Sequence, residues 1–120
     1  MAALHILLVE DHAESRELFE RLLELDGHTV HPAGGISEAL TLADAIDRLD
    51  LLVCDLGLPD GNGCDLLPTL RRKHPTVRGV AVSGHDEERF LAACQSAGFS
   101  AYVRKPVMFN QLLAAVNEAA

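Results

Sequence analysis

Five times along this 120-residue chain a short strand-like run gives way to a stretch whose apolar residues recur at helical spacing. The runs are 4–9 (LHILLV), 28–33 (HTVHPA), 51–55 (LLVCD), 77–83 (VRGVAVS) and 100–103 (SAYV). Apolar runs of this length bounded by turn residues read as buried strands. HTVHPA is the weakest of them, and Pro32 cannot donate to a ladder, which places that strand at a sheet edge. The first helix opens after Glu10-Asp11-His12 and runs to about residue 26, with Leu18, Phe19, Leu22, Leu23 and Leu25 spaced along it and Gly27 just past its end. Gly34 and Gly35 turn the chain into a second helix, where Ser37 is a candidate cap and Ile36, Ala39, Leu40, Ala43 and Ile46 share a face. A third helix is expected over 64 to about 73, stopped by Pro75. A fourth covers 86–97, with Phe90, Leu91, Cys94 and Ala97 inward and Gly98 closing it. Phe109, Leu112, Leu113 and Val116 mark the last.

Strands alternating with helices imply an α/β domain, a parallel sheet with helices on two faces. Right-handed crossovers leave few topologies. A doubly wound five-stranded sheet in the order 2-1-3-4-5 puts the Pro-containing strand at one edge and the short fifth strand at the other, so a single domain over 1–120 is expected. With four Phe, one Tyr and no Trp, its core must be built of Leu, Val, Ile and Ala.

In such a sheet the carboxyl ends of the strands all face one edge, where ligands of open α/β sheets bind. Read in order, those ends carry Glu10-Asp11, Asp55, Ser83 and Lys105. Three carboxylates brought together repel unless a cation or protons neutralise them. Oxygen-only ligands suit a hard ion, and Mg²⁺ takes one or two carboxylates with waters and a phosphate. A lysine opposite binds an anion, and a serine hydroxyl can donate to it. The set describes a Mg²⁺-assisted phosphoryl-transfer centre. Each residue also has a plainer role available. Asp55 could cap a turn, and Glu10-Asp11 could cap the first helix. Ser83 could be an ordinary strand-end hydroxyl, Tyr102 a half-buried edge aromatic, and Lys105, one of only two lysines, a solvated side chain.

A net charge of −8 argues against sequence-independent nucleic-acid binding and against an anionic membrane surface. No apolar run approaches the length of a membrane span, and no signal-peptide pattern precedes Leu4. Three cysteines, an odd number without a C-x-x-C pair, suggest neither a disulfide framework nor a zinc site. Two of them lie in apolar surroundings and read as small core residues, and a reduced, cytoplasmic setting fits. Of the six histidines, His28 and His31 would point to opposite faces of a strand, while His12 and His85 border the expected pocket. None reads as a metal ligand or phosphodonor.

The ordered set Glu10-Asp11, Asp55-x-x-x-Pro59, Gly63, Ser83-Gly84, Tyr102 and Lys105-Pro106 resembles the receiver domain of two-component response regulators over essentially the whole chain. The resemblance implies that Asp55 takes a phosphoryl group from a phosphohistidine on a histidine kinase or a histidine phosphotransfer domain. It implies Mg²⁺ held by Glu10, Asp11, Asp55 and the backbone carbonyl of Gly57, with Lys105 pairing with the phosphate across a cis Lys105–Pro106 bond. Ser83 and Tyr102 would act as switch residues. They would change the partner preference of the helix 4–strand 5–helix 5 face over 86–116, which in this family often forms homodimers. Such a domain assists its own phosphotransfer and dephosphorylation, and any kinase activity would belong to a parent protein. Gly57 and His85 stand where the family varies, on the path of an attacking water. The LGLPDGNG and SGHDEE segments resemble those of receivers in hybrid sensor kinases, and that origin is expected ahead of a stand-alone regulator. An aspartate-nucleophile phosphatase would need a second acid where Gly57 stands and a cap domain that 120 residues cannot supply. A phosphorylation-independent scaffold would not need the acidic pair with Asp55 and Lys105. A flavodoxin-like cofactor binder would need a glycine-rich phosphate loop after the first strand.

Overall fold

The computed structural model describes residues 3–84 and 89–119. Strands β1 (His5–Val9), β2 (Thr29–Ala33), β3 (Leu51–Asp55), β4 (Arg78–Ser83) and β5 (Ala101–Arg104) form one parallel sheet in the order β2-β1-β3-β4-β5. This is the doubly wound order expected from the sequence, with the Pro32 strand and the short fifth strand at the two edges. Pro32 sits opposite Leu8 in the edge pairing. A minor two-residue ladder, Gly57–Leu58 with Gly61–Asn62, folds the loop after β3 back on itself.

Alternation along the strands sorts the core into two layers. Ile6, Leu8, Leu51, Val53, Val80, Val82, Ala101 and Val103 face α1 (Ala13–Leu25) and α5 (Phe109–Ala119), meeting Leu23, Leu112, Ala115, Val116 and Ala119. Leu7, Val9, Leu52, Cys54 and Ala81 face α2 (Ile36–Ala45), α3 (Leu66–Leu70) and α4 (Leu91–Ala97), meeting Ala39, Ala43, Leu66, Leu67, Leu70 and Cys94. Both layers are mainly aliphatic, with Phe99 the one buried phenyl ring among the described residues. Helix α1 displays more apolar residues than it buries, for Leu18 is 54% exposed and Leu25 77%.

Three local expectations differ from the structure. The third helix is shorter than 64–73. Gly63–Asp65 is a 3₁₀ turn, opened by the Asn62 side chain, which accepts the Cys64 N–H at 2.9 Å, and only Leu66–Leu70 is α-helical. Pro68 falls in the first turn of that helix, where its missing N–H costs no intrahelical bond. Second, Ser37 does not cap α2. Its N-cap is Gly35, and the first N–H groups, of Ile36 and Ser37, donate to the two oxygens of Asp60 at 2.9 and 3.0 Å. Third, Cys64 and Cys94 are joined by a disulfide, so the expectation that the cysteines form none is corrected. Counting and spacing register pairs close in sequence, whereas these lie 30 residues apart and meet with Cα atoms 4.9 Å from each other. Cys54 alone is free, and it is buried. The expected start of the fourth helix at Asp86, and the place of His85, lie outside the described residues.

Arg71 ties the ends of α3, β4 and α4 together. Its Nε donates to the Val77 carbonyl at 3.0 Å, and its terminal nitrogens reach the Ala97 and Gly98 carbonyls. Gly98 has φ +99°, a left-handed helix end, and a Cβ there would run into the Arg71 guanidinium.

Candidate functional site

Register brings the site together. Val9 pairs with Cys54, and Asp55 pairs with Val82, so Glu10 leaves β1 level with Asp55 at the end of β3. Ser83 pairs with Arg104, and the Lys105 N–H donates to the Ser83 carbonyl at 2.8 Å, which brings Lys105 to the same edge. Asp55 is only 1% exposed, a carboxylate at the mouth of a core. Its Oδ2 accepts from Lys105 Nζ at 2.7 Å and its Oδ1 from the Gly57 N–H at 3.0 Å. A buried carboxylate persists as an ion only with such partners. The Lys105–Pro106 peptide is cis.

Glu10 is buried, while Asp11 stays about one-third open to solvent at its side chain. Burial first, then a hydrogen bond with Asp55 and the negative charge of Asp55, push the Glu10 carboxyl up to about 8; the Lys105 ammonium pulls the other way. A cation beside the two carboxyls would offset both the burial and the Asp55 charge. His12 Nδ1 stands 3.5 Å from Glu10 and 3.6 Å from Asp11, with its side chain 75% exposed, so it borders the acids as the sequence suggested. Glu10, Asp11 and His12 each place a ligand atom within 4.8 Å of the others. Beside them a cleft of about 360 Å³ is lined by Glu10, His12, Ser15, Phe19, Lys105 and Val107.

Glu10, Asp55, Gly57 and Lys105 are thus in contact, directly or through Asp55, and buried Ser83 stands one residue beyond the strand pair that carries Asp55. Tyr102 is apart: its hydroxyl donates to the Phe99 carbonyl at 3.3 Å, and its ring packs against the α2–α3–α4 layer. Of the histidine pair, His28 is buried, accepts the Leu4 N–H on Nδ1 at 3.1 Å and directs Nε2 toward Asp26 at 3.4 Å. His31 stacks on His5.

Two supporting residues escaped the sequence. Arg16 donates to the Glu10 carbonyl at 2.8 Å and so fixes the backbone that carries the acidic pair. Asp60, which reads as one more turn residue, pins the loop after Asp55 to α2. Arg16 lies six residues after Glu10, a separation that helical spacing does not mark. Nothing local marks Asp60. Gly63 is required by close approach, because a Cβ would lie 2.6 Å from the Asp55 carbonyl oxygen. Burial, then the charges of Asp55 and Glu10, hold the Cys54 thiol far above its ordinary range, so that sulfur is inert.

A 2-1-3-4-5 parallel sheet with acids and one lysine converging at its carboxyl edge defines a doubly wound α/β domain built around a charged cluster. The response regulator receiver domain family matches residues 6–117, and the chain belongs to that family. It is 33% identical over 114 residues to the sensor kinase CckA of Brucella abortus (strain 2308), covering 94% of this chain and 12% of that protein. It is 37% identical over 112 residues to the transcriptional regulatory protein CpxR of Escherichia coli (strain K12), covering 92% and 47%. A response regulator receiver domain protein from Clostridium thermocellum has the same fold, with a TM-score of 0.88 at 27% identity, over 98% of this chain and 94% of that one. The chain therefore spans from about an eighth to about half of these two curated relatives. It is a receiver domain of two-component signal transduction, a class that works with histidine kinases or phosphotransfer partners. No helix among the described residues is long and apolar enough to cross a membrane.

Proposed function

We propose that Asp55 is the phosphoacceptor, taking a phosphoryl group from a phosphohistidine on a histidine kinase or a histidine phosphotransfer domain. One observation carries this reading: a carboxylate 1% exposed at a strand end, clamped by Lys105 at 2.7 Å and flanked by two further acids. An Asp55 oxygen attacks phosphorus as the bond from phosphorus to the histidine nitrogen breaks, giving an acyl phosphate and a free imidazole. Lys105 stands where it pairs with the incoming phosphoryl oxygens, and the Gly57 N–H steadies the carboxylate while it attacks. The donor set fits Mg²⁺, because Glu10, Asp11, Asp55 and the Gly57 carbonyl offer hard oxygens, and a cation there would offset the burial and the neighbouring Asp55 charge that raise Glu10. Bound there, Mg²⁺ would neutralise charge on the transferring group. Ser83 then turns to the new phosphate oxygens, Tyr102 leaves the Phe99 carbonyl and swings inward, and the α4–β5–α5 face changes its partner preference. The domain occupies 1–120, acts in the cytoplasm and comes from a hybrid sensor kinase, a reading that the likeness to CckA supports.

In the test, Mg²⁺ and acetyl phosphate add one phosphoryl group to the wild type and none to Asp55→Asn, as read by intact mass. Labelling that persists in the variant, or is absent from the wild type, sinks the proposal. In Asp11→Ala, Mg²⁺ binding weakens by about tenfold or more, the loss expected for one carboxylate ligand. An unchanged affinity removes Asp11 from the metal site.

A further inference from the structure

The disulfide joins two places that the receiver reading treats as separate. Cys64 lies in the 3₁₀ turn nine residues after Asp55, in the loop that Gly63 packs directly onto the Asp55 backbone. Cys94 is the inward residue of α4, and it is the only one of that helix's seven residues that is fully buried. Leu91 and Ala97 are half-buried beside it, and the other four are exposed. Cys94 is therefore the one wholly buried anchor of α4, beside half-buried Leu91 and Ala97 and the Arg71 bond to the Ala97 carbonyl.

The domain has two mainly aliphatic layers that close without help from a cross-link, so this bond is not the staple on which a core-poor mini-protein depends. In the cytoplasm, where the proposed phosphodonor works, disulfides are transient and redox-sensing rather than structural. The pocket also suits the reduced pair. Cys64 Sγ lies 3.4 Å from the Phe90 carbonyl oxygen, so once the bond opens its thiol finds an acceptor already in place.

We propose that Cys64 and Cys94 form a thiol–disulfide exchange site, oxidised by small disulfides such as glutathione disulfide and reduced by dithiols, whose bond sets how firmly α4 is held to the loop behind Asp55. In the oxidising direction one protein thiolate attacks a sulfur of the small disulfide. A mixed disulfide forms, and the displaced thiolate takes up a proton. The second protein thiolate then attacks the protein sulfur of the mixed disulfide, closing the Cys64–Cys94 bond and releasing the second small thiol. Two electrons pass from the protein sulfurs to the oxidant. Cys64 is 1% exposed and Cys94 is fully enclosed, so exchange proceeds through local opening of α4, a helix of two turns. Resting on the receiver reading, the consequence is a gain control. Oxidised protein accepts phosphate but holds α4 in place, whereas reduced protein lets α4 respond.

The full chain is equilibrated with glutathione disulfide or with dithiothreitol, then denatured and alkylated for intact mass. One alkylated thiol is expected in the first state and three in the second. By hydrogen exchange, α4 amides open about tenfold more readily after reduction, while amides of α5 do not change. Cys64→Ser and Cys94→Ser each behave as reduced protein whatever the glutathione state. Three free thiols after oxidation, or α4 exchange that is the same in both states, overturns the proposal. Phosphoryl incorporation from acetyl phosphate is read in parallel. Its failure in both redox states counts against Asp55 as acceptor, while thiol number and α4 exchange still decide the redox site.

Discussion

Helices α5 and α4 flank neighbouring strands of one sheet but are held in opposite ways. Helix α5 buries Leu112, Ala115, Val116 and Ala119 along three turns, so its attachment is spread over a continuous apolar stripe. Helix α4 buries Cys94 alone and adds a covalent bond. Attachment by area is lost gradually and responds to temperature and denaturant. Attachment by one bond is lost at once and responds to a reagent. A domain that must keep its frame while moving one helix gains from having both, and the acids, Asp55 and Lys105 sit at the edge between them.

The contrast is broken most severely from the α5 side. Leu112→Ala should cost about 2–5 kcal/mol in urea unfolding, whereas Leu91→Ala on α4 should cost less than about 1 kcal/mol because that side chain is only half-buried. Equal losses would erase the distinction. Reduction of the bond, whose cysteines lie 30 residues apart, should act on α4 first, raising its amide exchange about tenfold while α5 amides do not change. A change spread evenly over the chain would mean that the bond supports the whole fold.

At the edge between the halves, Glu10 gives a smaller, pH-dependent effect. Its folded carboxyl is raised to about 8 from an ordinary 4.5, so the folded state holds the proton more tightly than the unfolded state. The contribution of Glu10 to stability is therefore greatest at low pH and falls as pH rises from about 4.5 to about 8. Without Mg²⁺, Tm should decline by several degrees across that window, and Glu10→Gln should flatten the slope. A wild-type Tm that rises from pH 5 to 8 would show that the acids are neutralised some other way. The smallest effect is expected at Asp60→Ala, a slight fall in Tm with faster amide exchange at Ile36 and Ser37, because the carboxylate that receives them is exposed. Unchanged exchange there would show that Gly35 begins α2 unaided.

Strand order and the convergence of Glu10, Asp11, Asp55, Ser83 and Lys105 were readable because both follow from a repeated local pattern. Buried runs alternate with amphipathic stretches, handedness limits the crossovers, and a parallel sheet sends every carboxyl end to one side. What was not readable depends on distance along the chain. The third helix shrank because the Asn62 side chain tightens the turn before it. The Ser37 cap failed because a carboxylate 23 residues later outcompetes it. Arg16 holds the Glu10 carbonyl across a turn whose geometry the residue types do not specify. The Cys64–Cys94 bond follows from α4 lying over the 3₁₀ turn, a packing fact that thirty intervening residues conceal.

Asp60 carries one more consequence, for the order in which the chain folds. A helix with a local cap can begin as soon as its own residues meet. Helix α2 has a glycine at its start and receives its acceptor from beyond the third strand, so its cap is completed only once residues 51–60 are in place. A peptide of residues 34–47 alone should be nearly structureless in water. The Asp60 cap then belongs among the late contacts of folding, made on a sheet whose central strand already exists.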